Sequence, residues 1–160
     1  MALKLKASTI QANYPTPYTG SHENILLIPS TSTITVTKNS FIQGITTAQN
    51  DASTPQYRLL WVHNEGPENL GNVTLFISGA NNAGATTTLH YFDDKGEVTT
   101  NTQTTITASF PGNIGEWNSS VTIGNIPAGY AAGVWTKTIG NKDIAVSEDF
   151  ITLQTTSDII

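Results

Sequence analysis

No cysteine occurs anywhere in these 160 residues, so neither a disulfide framework nor a thiolate zinc site is open to the chain. Charge is scarce as well: 12% of residues are charged, the balance is -5, and Arg58 is the single arginine beside six scattered lysines. A nucleic-acid binder needs a basic stripe that releases counterions from phosphate, and this shortage excludes DNA or RNA as the main ligand. No run approaches the roughly 18 consecutive apolar residues of a membrane helix, so no membrane role is expected. The first ten residues alternate Leu3, Leu5 and Ala7 with Lys4, Lys6 and Ser8. That is strand periodicity, and it lacks the apolar block of a signal peptide.

What is present is threonine, asparagine and short apolar alternation. Threonine favours strands and asparagine favours turns, so polarity supplied this way speaks for an all-β protein and against a helical bundle. At 160 residues the chain fits one domain, able to remove roughly 70% of its unfolded surface from water without a staple or a metal. Residues 1–20 read as an extended N-terminal arm, because Pro15 and Pro17 remove two backbone donors and hold their predecessors extended. Two uses of this arm compete. It either covers a sheet edge of its own domain or lies on a neighbouring subunit. Residues 21–160 read as a single β-sandwich domain.

Strands are predicted over Asn24 to Ile28, Thr33 to Thr37 and Ser40 to Thr46, where Ile34 and Val36 alternate with threonines. The strongest follows, with Tyr57, Leu59, Trp61 and His63 on one face and Arg58, Leu60 and Val62 on the other. Asn72 to Ser78 is next, its Phe76 breaking the alternation and facing a partner or a covering loop. Ala85 to Phe92 and Glu97 to Ala108 read as a hairpin across Asp93-Asp94-Lys95-Gly96. Val121 to Gly124, Tyr130 to Thr138 and Ile144 to Thr155 complete the series. Eight to ten strands at this spacing, with no helical period between them, imply an antiparallel sandwich or a barrel.

Catalysis has little to stand on. His22, His63 and His90 are solitary in sequence, with no nucleophile elbow and no zinc-protease helix. Asp93-Asp94 with Glu97, and Glu148-Asp149, lack the ligand spacing of a calcium loop, and the first is accounted for as turn chemistry. No enzymatic activity, cofactor or metal is expected. Trp61 and Trp135 stand in strand centres beside aliphatic residues and read as core. Trp117 differs: in Pro111-Gly-Asn-Ile-Gly-Glu-Trp117-Asn it is either an exposed indole at a partner or glycan surface, or a ring folded back over the sandwich.

Two blocks carry a family resemblance. Tyr57 to Asn64-Glu-Gly66 followed by Leu70 to Ile77, and Val121-Thr-Ile-Gly-Asn-Ile-Pro-Ala-Gly129 followed by Tyr130 to Trp135, resemble the strand, corner and strand of immunoglobulin-like sandwiches. Together with Val134-Trp135 and Asp149-Phe-Ile-Thr-Leu153 they look like a group of tailed-bacteriophage virion proteins of capsid decoration or cement type. The resemblance implies a structural protein on the outer capsid surface of the virion, made in the host cytoplasm. Its implied partners are the major capsid protein or other virion proteins, and it would sit on the particle as a homo-oligomer such as a trimer. The alternative is a tail or fibre adhesin domain that binds host-surface glycans. The interface residues expected on this reading are Leu3, Leu5, Ile10, Tyr14 and Tyr18 of the arm, and Trp117.

Overall fold

A computed structural model of the chain describes residues 3–8, 19–27, 33–37, 55–80, 85–97, 103–109, 116–140 and 150–160. Across these the protein is all-β, with strands β1 (Leu3–Ser8), β2 (Thr19–Leu27), β3 (Thr33–Thr37), β4 (Gln56–Asn64) and β5 (Leu70–Ala80). β6 (Ala85–Glu97), β7 (Gln103–Ser109), β8 (Ser120–Ile126), β9 (Tyr130–Gly140) and β10 (Phe150–Ile159) follow. They form two antiparallel sheets, one of six strands in the order β6-β9-β4-β1-β2-β7 and one of four in the order β3-β10-β5-β8. The strand expected over Ser40 to Thr46 lies outside the described residues.

Alternation decides which side chains meet between the sheets. Leu3 and Leu5 of β1, Leu60 and Val62 of β4, Leu89 of β6, and Ala132 and Val134 of β9 share one cluster with residues of the smaller sheet. Those are Leu70, Val73 and Leu75 of β5, Val121, Ile123 and Ile126 of β8, and Leu153 of β10. The register agrees with the pattern, since Leu60 stands opposite Val134, Val62 opposite both Ala132 and Leu5, and Leu75 opposite Val121. One polar pair sits beside this layer: the Thr87 and Thr138 hydroxyls are 2.8 Å apart and buried.

Two expectations need correction. Of the two uses weighed for the arm, β1 serves its own domain, paired with β4 on one side and β2 on the other. Leu3 and Leu5 are 1% exposed, so they are core residues of their own domain and offer nothing to a neighbouring subunit. The Asp93 to Gly96 segment is not a hairpin turn. β6 runs through it along β9, Tyr91 opposite Val134 and Lys95 opposite Ala132, so extra residues are absorbed as a bulge. Asp93 takes the positive φ of 57° there, and among the described residues β7 pairs with β2.

The β6 edge is not left open along its length. Asn118 exchanges backbone hydrogen bonds with Leu89, N to O 2.7 and 2.9 Å, and the amide of Ile77 in β5 donates to Ser119 O at 2.8 Å. Residues 118 and 119 thereby step from the edge of the larger sheet to the smaller one and close that side of the structure.

Candidate functional site

The face of the larger sheet turned away from the shared core is itself apolar. Tyr57, Trp61, Ala131 and Trp135 are each 4% exposed or less, and His63 is buried with them. The strand register explains how these residues come together: Trp61 stands opposite Gly133, His63 opposite Ala131, and Tyr57 opposite Lys137 on β9, which in turn stands opposite Thr88 on β6. Trp61 and Trp135 are fully buried, as their strand-centre positions implied.

Trp117 rests on this face, half-buried. Its ring lies 5.7 Å from that of Tyr57 and 5.5 Å from that of His90, both tilted. The Lys137 ammonium stands 4.8 Å from the indole centroid, a cation over a π face. His90 anchors the segment from below: its Nδ1 lies 2.8 Å from the Glu116 carbonyl oxygen, so that nitrogen carries the proton and donates. Burial draws the Lys137 pKa below the ordinary 10.5. The ring is thus laid over the sheet face and still partly open to solvent.

At one end of the molecule the two corner motifs meet at Asn64, which is fully buried. Its Nδ2 donates to the carbonyl oxygens of Glu68 (2.8 Å) and Ile126 (3.1 Å), while its Oδ1 accepts from the Gly66 amide (3.1 Å). Its own carbonyl accepts from Gly129 N at 2.9 Å. The β8–β9 corner is a tight turn closed by Tyr130 N on Pro127 O at 3.1 Å, and Gly129 supplies the φ of 77° that the third turn position demands. Asn69 Oδ1 accepts from Ala128 N at 3.1 Å, tying the same two loops a second time. Beside them His63 Nδ1 and Glu65 Oε1 are 3.3 Å apart.

Of the interface residues expected from sequence, Leu3 and Leu5 are in the core, Trp117 is on the outer face of the larger sheet, and Ile10, Tyr14 and Tyr18 lie outside the described residues. The residues that sequence reasoning missed are His90 and Lys137. Each is isolated along the chain, and only the pairing of β4, β9 and β6 sets them around Trp117. Asp93, Lys95 and Tyr91 form a local set, with Tyr91 Oη donating to Asp93 Oδ1 at 3.0 Å and Lys95 Nζ 3.8 Å from the same oxygen. That is bulge chemistry, and among the described residues no group of histidine, aspartate and glutamate has metal-holding geometry. No family model, curated protein or solved structure matches the chain.

Proposed function

We propose that this chain is a structural protein of a tailed-bacteriophage particle, an immunoglobulin-like sandwich that decorates or cements the outer capsid surface through contacts with the major capsid protein. The observation that supports the reading is the Asn64 junction. The two blocks that carry the resemblance, one ending in Asn64-Glu-Gly66 and the other turning at Ile126-Pro-Ala-Gly129, are one hydrogen-bonded unit rather than two unrelated fragments. Cement of this kind acts by burying surface across subunit seams. The contact does not run through Leu3 and Leu5, so deleting the first twenty residues would remove a strand of the fold and report nothing about attachment.

Immunogold labelling of intact particles with an antibody against the chain tests the proposal. Gold spread over heads supports decoration, and particles without label overturn it. Gold confined to tails supports the second reading, an adhesin whose half-buried indole, flanked by His90 and Lys137, takes a host-surface glycan. That reading predicts glycan-array binding lost in Trp117→Ala, and an array without hits removes it.

A further inference from the structure

Two polar groups on the outer face of the larger sheet lack the partners that folding ordinarily supplies. The first belongs to Lys137, half-buried, whose ammonium stands 4.8 Å from the Trp117 ring centroid. Among the described residues no carboxylate pairs with it, and burial without a counter-charge draws its pKa down. Glu116 is exposed, and what it gives to this face is its backbone carbonyl, held by His90. The second is the Thr88 hydroxyl, closed off from solvent and without a hydrogen-bond partner among the described residues.

These two groups are neighbours. Thr88 stands directly opposite Lys137, which stands opposite Tyr57, so the three form one cross-strand row with their side chains on the same face. A buried hydroxyl without a partner and a partly desolvated cation without a counter-ion each cost stability, and one ligand chemistry relieves both. A carboxylate has two oxygens, one to accept from the ammonium and one to accept from the hydroxyl. A neutral hydroxyl would serve the threonine and leave the cation unpaired. A small anion would leave the indole unused, whereas a ring that carries the carboxylate gains a flat apolar surface from Trp117, partly open to solvent.

We propose that this row is a binding site for an acidic sugar, its carboxylate held between Lys137 and Thr88 and its ring lying against the Trp117 indole. Because the hydroxyl is closed to solvent, binding carries the indole off the ammonium, and Trp117 reports the movement. The assignment rests on the glycan reading of the Trp117 face and names the class of glycan.

The test is an array of glycans ending in glucuronic or sialic acid beside their neutral counterparts, followed by titration of the full chain with one matched pair. Tryptophan fluorescence follows the titration, and since Trp61 and Trp135 are fully buried the change belongs to Trp117. The acidic member is expected to bind about tenfold more tightly, with the difference shrinking as salt rises. Lys137→Met should bind the two members alike, Lys137→Arg should keep the preference, and Thr88→Val should weaken the acidic member several-fold, each with an unchanged far-UV circular dichroism spectrum. Hits confined to neutral glycans overturn the acidic assignment and leave the glycan reading standing, while hits in neither class overturn both. A preference that survives Lys137→Met, or that ignores salt in the unaltered chain, removes Lys137 from the site and the assignment with it. A glutamate-rich peptide that binds as tightly as the acidic sugar makes the occupant a protein segment and overturns the sugar.

Discussion

Replacing Asn64 by alanine strands the buried Ile126 carbonyl and frees the Gly66 and Glu68 ends of the β4–β5 loop. A buried hydrogen bond contributes about 1 kcal/mol net and an orphaned polar group costs about 1–3 kcal/mol, so Asn64→Ala should lose about 2–4 kcal/mol, read as a lower urea midpoint at unchanged slope. The Thr87–Thr138 pair gives a contrasting result. Thr138→Val leaves one hydroxyl without its partner and should cost about 1 kcal/mol, whereas Thr87→Val/Thr138→Val should recover most of that loss, a coupling a double-mutant cycle measures. At Trp117 the readout is a titration. Burial lowers the Lys137 pKa, so Trp117→Ala, by opening the ammonium to water, should move it back up toward 10.5, followed by NMR of the lysine side chain. The folded state holds this proton less tightly than the unfolded chain does. The Lys137 contribution to stability therefore rises with pH across the interval between its lowered value and 10.5, and that slope should flatten in the variant.

At the scale of elements, β1 is the informative strand. Leu5→Ala should cost about 2–5 kcal/mol, the range for a buried leucine whose cavity does not collapse, and a chain lacking residues 1–8 should fail to give a cooperative melt. The alternation of Leu3 and Leu5 with Lys4 and Lys6 made β1 legible as a strand. Its place between β2 and β4 was not, because the residues opposite Leu3 and Leu5 are Asn64 and Val62, far along the chain, and periodicity names no partner. β3 was legible to the residue, and so were the buried Trp61 and Trp135, but which face of β4 meets the shared core was not. The β6 bulge was misread for a physical reason: Asp and Gly license positive φ in a hairpin turn and in a bulge alike, and the choice depends on whether β9 is there to continue the pairing. Around Trp117 the sequence offered the indole alone, since His90 and Lys137 reach it only across three paired strands.

Over the whole molecule the two sheets have unequal surroundings. The smaller one has a core face and a solvated face, the arrangement expected of antiparallel strands. The middle of the larger one is apolar on both sides, with Leu60, Val62 and Val134 against the shared core and Trp61 and Trp135 on the reverse. Water that reaches a backbone amide in β4 or β9 must first get past one of these layers. In deuterium oxide the last protons to exchange should therefore belong to Leu60, Val62, Val134 and Trp135, and their rates should report the free energy of global unfolding. Amides of β8 at the sheet edge should exchange sooner, through local opening. The pair of tryptophans that marks the middle of the larger sheet thus also marks the part of the chain that is last to come apart.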